Sequence, residues 1–196
     1  MTSSMDRPGP KHLSLPNLLT YGRVAAVPVV AALLFWPLEE WARWTALAVF
    51  AIAAITDFFD GYLARAWSQQ SSMGRMLDPI ADKLLVAVCL LMLVADEEIA
   101  GVHMWAAIII LSREILVSGL REFLAELRVS LPVTRVAKYK TTMQLVALGF
   151  LIAPPRGVSF IDSQTIGLAL LWAAALLTLY TGYDYMRAGM KHMMDD

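Results

Sequence analysis

Six mostly apolar stretches, each close to the length that crosses a lipid bilayer, follow one another along this chain. A spanning helix takes about 20 residues. Candidates run from roughly Leu18 to Pro37, Trp41 to Arg65, Asp78 to Ala95, Val102 to Glu126, Ala137 to Pro154 and Ser163 to Arg187. With 58% hydrophobic residues over 196, the chain is too apolar for an ordinary soluble domain of this size. Hydrocarbon offers the backbone no hydrogen bonds, so such stretches form helices. The expected fold is all-α: a polytopic membrane protein with six transmembrane helices in one domain over 17–187. Residues 1–16 are polar and proline-bearing. They read as a cytoplasmic tail or, equally, as a short amphipathic helix around Lys11–Leu19. Residues 188–196 read as a second cytoplasmic tail. No cleavable signal peptide is expected, because no small-residue cleavage site follows the first apolar stretch.

Basic residues orient the bundle. If the N-terminus is cytoplasmic, all of the 16 Lys and Arg except Arg43, Arg113 and Arg156 fall on the cytoplasmic side. The opposite loops are short and acidic: Glu39-Glu40 and Asp96-Glu97-Glu98. Both termini are therefore expected in the cytoplasm. Several uninterrupted apolar runs, among them Thr45–Ile55 and Leu84–Ala95, are too short to span alone. Polar residues complete them on the cytoplasmic side. Charges at that depth must face water or one another, so a wet pocket in the cytoplasmic half is expected.

Other features narrow the field. The single cysteine, Cys89, excludes an intrachain disulfide and a C-x-x-C motif. Basic residues form no long stripe, so nucleic acid is not an expected partner. His12, His103 and His192 show no metal-ligand spacing. Trp36, Trp41, Trp44 and Trp105 fit an interfacial belt near the outer headgroups.

Four aspartates carry the chemistry. The chain reads Asp57-x-x-Asp60-Gly61-x-x-Ala64-Arg65, then eight residues, then Gly74-x-x-x-Asp78-x-x-x-Asp82. Helical residues three or four apart share a face. Asp57 and Asp60 thus point one way from one helix, and Asp78 and Asp82 together from the next. Converging carboxylates supply hard oxygen ligands for divalent cations, Mg²⁺ or Mn²⁺. Carboxylates so close repel without cations, and one would take up a proton. Pro79 suits a helix's first turn, which would put Asp78 near the start of the third helix and Asp82 a turn deeper. Taken singly, Gly61 could be a helix-packing glycine and Arg65 a topology anchor.

This pattern resembles the signature of the CDP-alcohol phosphotransferase family, with every fixed position present. The six-helix plan is similar too. The resemblance implies an enzyme that transfers a substituted phosphoryl group from a CDP-linked donor to an alcohol and releases CMP. It implies that Asp57, Asp60, Asp78 and Asp82 hold two divalent cations, with Asp82 also the general base. By the same resemblance Gly61, Arg65 and Ser71 contact the cytidine nucleotide, and Ala64 and Gly74 leave room for it. A homodimer in a bacterial inner membrane, with its active site facing the cytoplasm, is implied as well.

The second half bears on the acceptor. Ser112-Arg113-Glu114, Ser118-Gly119-Leu120-Arg121-Glu122 and Ala137-Lys138-Tyr139-Lys140-Thr141-Thr142-x-Gln144, with Leu15-Pro16-Asn17-x-x-Thr20-x-x-Arg23 near the start, resemble the branch that makes phosphatidylglycerophosphate. That branch joins CDP-diacylglycerol to sn-glycerol 3-phosphate. A dianionic acceptor needs cations, and Arg suits bidentate phosphate recognition. Arg113, Arg121, Lys138 and Lys140 are the candidates. Arg113 could instead pair with Glu114, or with Glu126 of a dimer partner. Lys138 and Lys140 could be positive-inside anchors, and Arg23 could serve either end. Two rivals stand beside this reading. One is a same-family enzyme with another acceptor: phosphatidylglycerol, inositol phosphate or serine. The other is a cation-coupled transporter, which would need inverted repeats and polar residues on the outer side.

Overall fold

The computed structural model describes residues 15–36, 40–67, 72–127, 135–154 and 162–194, with side chains for all of these except 15–16, 57–67, 72, 75, 135, 137–138 and 191–194. Every regular element among them is helical: α1 (Leu15–Phe35), α2 (Glu40–Trp67), α3 (Ser72–Ala95), α4 (Met104–Glu126), α5 (Arg135–Ile152) and α6 (Ser163–Met194), with a one-turn 3-10 helix at Gly101–His103. Six helices thus form where six apolar stretches stand. Three segments are long and apolar enough to cross a membrane by composition alone: Asn17–Phe35, Gly101–Glu126 and Ser163–Met190. In α3 and α5 charged residues occupy the starting end, and in α2 both ends, which shortens the apolar part. At 1.5 Å per residue the 28-residue α2 is about 42 Å long. A hydrocarbon core is about 30 Å thick, so α2 has length left over for its charged ends.

Two boundaries differ from expectation. α3 starts at Ser72, so Pro79 lies inside the helix and Asp78 beyond its first turn. An interior proline removes one backbone bond, a loss that membrane bundles repair with neighbouring helices or ordered water. The same tolerance holds Pro28 inside α1. At the other end of the chain, α6 runs to Met194, through most of the expected tail. The start of the expected N-terminal segment, residues 1–14, lies outside the described residues.

α1 packs chiefly on α2 and α3, while α6 packs chiefly on α5 and α4. α5 touches both α2 and α3, and α3 touches α4, which joins the two groups. The buried apolar core includes Leu34, Phe50, Leu90, Ile110, Leu148 and Leu171. Each comes from the same half of the bundle: late in α1, α3 and α5, early in α2, α4 and α6. The opposite half buries polar groups beside apolar ones such as Val117 and Leu124, among them Asn17, Thr20, Arg23, Lys140, Gln144 and Thr181. The interior is therefore divided across its length into an apolar half and a polar half.

The apolar end is closed by charge. Arg43, only 5% exposed, bonds Glu98 at 2.7 Å and Asp96. This ties the start of α2 to the acidic turn after α3. Asp96 N–H returns to Met92 C=O, and Ile99 N–H to Leu93 C=O. Glu97 and Gly101 take positive φ, 60° and 56°. Trp172 Nε1 donates to His103 Nδ1 at 3.0 Å, linking α6 to the 3-10 turn. Before α6, Asp162 accepts from the Thr165 hydroxyl and, at 3.2 Å, from its N–H. Those bonds, the hydroxyl's first, hold its carboxyl below the ordinary range.

Candidate functional site

The polar half is built around the end of α2 and the start of α3. Asp57, Asp60, Gly61, Ala64 and Arg65 all fall within helical α2, whose last residue is Trp67. Their side chains lie outside the described residues, as does Ser71 altogether. Gly74, Asp78 and Asp82 lie on α3, with Gly74 buried and the two aspartates half-buried. Asp78 and Asp82 are four apart on one helix and so share a face.

Asp78 is held from α1. Arg23 Nη1 donates to its Oδ1 at 2.8 Å, and the Arg23 side chain is almost wholly buried. Arg23 belongs to a stripe with Asn17 and Thr20, all three buried and each three residues from the next. The early motif of α1 therefore faces the bundle interior. A carboxylate offers about four acceptor sites on its two oxygens. The Arg23 bond uses one oxygen of Asp78 and leaves capacity for a cation. Carboxylates of this kind suit Mg²⁺ or Mn²⁺, but among the described residues no three potential ligands gather into one metal-holding group, and the carboxylates of Asp57 and Asp60 lie outside those residues.

A polar cavity of about 340 Å³ lies between α3 and α4; on α3 it is lined by Pro79 and Lys83, which follow Asp78 and Asp82 in the chain, and neither aspartate is in its wall. Lys83 of α3 and Arg113 and Arg121 of α4 line it, with Glu114 and Glu122 as counter-charges. The α4 wall repeats every four residues: 113, 117, 121 and 114, 118, 122. That spacing stacks side chains on one helix face. Two of the expected phosphate ligands, Arg113 and Arg121, thus meet in one cavity. Lys83 joins them, although the sequence recommended it only as a positive-inside residue. Its signal was its place directly after Asp82.

Arg113 is fixed by three neighbours. Nη2 donates to Thr181 Oγ1 at 3.1 Å, Nη1 lies 3.4 Å from Glu114 Oε1, and the guanidinium carbon sits 5.7 Å from the Tyr185 ring centroid. α6 makes room for its stem with Gly182, where a Cβ would lie 2.9 Å from Arg113 Cγ. The pairing with Glu114 is the bland alternative the sequence allowed, and it coexists with a place in the cavity wall. Lys140, 3% exposed, also bonds Glu114. Glu114 thereby joins Lys140 of α5 to Arg113 of α4. Lys138 lies on α5 with its side chain outside the described residues.

A second cavity, apolar and about 390 Å³, runs between α1 and α2 and includes Arg23 in its lining.

Comparison with known proteins identifies the family. The family model for CDP-alcohol phosphatidyltransferase matches residues 13–180. A protein of Rickettsia bellii named CDP-diacylglycerol–glycerol-3-phosphate 3-phosphatidyltransferase is 46% identical over 179 residues, covering 91% of this chain and 97% of its own. Proteins of the same name from Cereibacter sphaeroides and Shigella flexneri are 40% and 39% identical, each match covering 93% of this chain and 98% of the relative. The match spans the aspartate-bearing helices, the α3–α4 cavity and the buried stripe of α1 together, and the chain belongs to the CDP-alcohol phosphatidyltransferase family.

Proposed function

We propose that the chain transfers the phosphatidyl group of CDP-diacylglycerol to sn-glycerol 3-phosphate, giving phosphatidylglycerophosphate and CMP. The observation that carries the choice of acceptor is the α3–α4 cavity, where Lys83, Arg113 and Arg121 converge. Glu114 and Glu122 offset two of these cations and leave one positive charge in excess, which favours an anionic acceptor over a neutral one. A phosphomonoester such as glycerol 3-phosphate or inositol phosphate meets that, and Arg is suited to hold it bidentately. Between the two, the names of the relatives favour glycerol 3-phosphate.

The chain's residues divide the work. Arg113, Arg121 and Lys83 bind the acceptor phosphate and aim its free primary hydroxyl at the aspartates. Asp82 accepts the hydroxyl proton. The freed oxygen bonds to the phosphorus that bears diacylglycerol, and that phosphorus releases its bond to CMP oxygen. Asp57, Asp60, Asp78 and Asp82 would hold divalent cations, on which this family generally depends. When bound, they neutralise the diphosphate and stabilise the leaving CMP oxygen. Arg23 positions Asp78. Gly61, Ala64, Arg65, Ser71 and Gly74 would line the cytidine nucleotide. The protein would sit as a homodimer in a bacterial inner membrane, its polar half toward the cytoplasm.

Purified protein with CDP-diacylglycerol, Mg²⁺ and labelled acceptors tests the reading. We expect label from glycerol 3-phosphate in the organic phase, with CMP released in equal amount and no membrane gradient required. Turnover with phosphatidylglycerol, inositol phosphate or serine but not with glycerol 3-phosphate would contradict it.

A further inference from the structure

We propose that the Ser118 hydroxyl of α4 binds the secondary hydroxyl of the acceptor and so reads the acceptor's hand. The assignment rests on the glycerol 3-phosphate reading and adds a specificity-determining residue to it. Glycerol 3-phosphate differs from a plain hydroxyalkyl phosphate by one hydroxyl. That hydroxyl sits on the chiral carbon, between the carbon bearing phosphate and the carbon bearing the reacting hydroxyl. A phosphate site and a general base touch only the two ends of the molecule. Two contacts do not tell a chiral molecule from its mirror image, so a third group has to meet the middle.

The α4 wall of the polar cavity carries two columns of side chains. Arg113, Val117 and Arg121 form one, and Glu114, Ser118 and Glu122 the other. The first is cationic and suits a phosphate. The second suits hydroxyls, since its two carboxylates repel a dianion. Arg113 and Arg121 stand eight residues apart, about 12 Å along the helix axis. Long helical side chains lean toward the N-terminus, so Arg121 leans toward the level of 117 and 118. Arg113 is held in place by Thr181 and Tyr185 of α6. A phosphate within reach of both lies between them. At that level Val117 is buried and apolar, and Ser118 is the neighbouring polar group.

The Ser118 hydroxyl is uncommitted. Thr45, Thr56 and Thr181 each turn their hydroxyl back to a carbonyl of the preceding turn, the common local bond of such side chains. Among the described residues Ser118 makes no such bond, and it stands half-buried in the cavity wall. Glu114, one turn away, is already engaged: its Oε1 takes Lys140 and lies 3.4 Å from Arg113 Nη1. A serine hydroxyl both donates and accepts, so it can meet a ligand hydroxyl whichever way that group turns.

The test compares kcat/KM, read as CMP release from CDP-diacylglycerol with Mg²⁺, for three acceptors. They are sn-glycerol 3-phosphate, its mirror image sn-glycerol 1-phosphate, and 3-hydroxypropyl phosphate, which lacks the secondary hydroxyl. We expect the native chain to prefer sn-glycerol 3-phosphate over each of the others by about tenfold, the weight of one hydrogen bond. In Ser118→Ala the preference over 3-hydroxypropyl phosphate should fall to near unity. The rate with 3-hydroxypropyl phosphate should stay native in that variant, which also reports an intact fold. A preference that survives in Ser118→Ala would overturn the assignment. Equal loss with all three acceptors would overturn it too, since Ser118 would then serve the phosphate or the helix packing. A native chain that uses the two mirror images alike would overturn it without reference to any variant. No CMP from the native chain with any of the three would instead overturn the glycerol 3-phosphate reading on which the assignment rests.

Discussion

At the scale of single residues, the account depends on what Asp82 and Arg113 do. Asp82→Asn keeps the shape of the carboxylate and removes its basicity. A positioned general base contributes roughly 10²–10⁴-fold, so turnover should fall by that factor while CDP-diacylglycerol still binds, as read by equilibrium binding of labelled donor. Near-native turnover would remove the base assignment. Arg113→Ala deletes charge-assisted bonds worth roughly 1.5–3 kcal/mol each. The KM for glycerol 3-phosphate should rise at least about tenfold, and an unchanged KM would take Arg113 out of the acceptor site. Asp78, Asp82 and Arg113 stood out in the sequence by their spacing and their cost inside a membrane, and the structure places all three on helices of the polar half. Lys83 and the Arg23–Asp78 bond did not stand out. A basic residue beside a helix end has a sufficient explanation in topology, and nothing local says that α1 reaches across to α3.

At the scale of elements, helix contacts set the geometry of the site. Gly182 of α6 is where Arg113 passes, with 2.9 Å to its Cγ from a hypothetical Cβ. Gly182→Ala should displace the guanidinium from Thr181 and raise the KM for glycerol 3-phosphate, with a smaller effect on kcat. Wild-type kinetics in that variant would show that Arg113 needs no such support. Arg43 joins α2 to the turn after α3 through Asp96 and Glu98. Removing one member of a largely buried ion cluster strands the others, at a cost of roughly 3 kcal/mol. Arg43→Ala should lower the denaturation midpoint in detergent and leave the KM values near native, since the cluster lies at the apolar end. Helix number and most boundaries followed from the apolar lengths. The start of α3 did not, because a proline is as compatible with a first turn as with the interior of a membrane helix, and packing alone decides.

At the scale of the whole molecule, the bundle is divided into an apolar half closed by Arg43 and a polar half holding Asp78, Asp82, Arg113 and Lys140. That division was foreshadowed by apolar runs too short to span. Which helices pair was not, since six amphipathic patterns admit many arrangements. The orientation makes a prediction. Cys89 is buried and should be silent toward a membrane-impermeant maleimide in intact spheroplasts. A cysteine introduced at Glu97 should be labelled from outside, and one at Glu126 only after permeabilisation. The reverse pattern would invert the topology and put the polar half on the wrong side for a cytosolic acceptor.

The central claim is that carboxylates from α2 and α3 share divalent cations. Mn²⁺ binding to the purified chain, followed by electron paramagnetic resonance with CDP-diacylglycerol present, tests it most directly. The account predicts two Mn²⁺ per protomer in the native chain, and weakened binding in Asp57→Asn and in Asp78→Asn alike. Undiminished Mn²⁺ binding in both variants would contradict it.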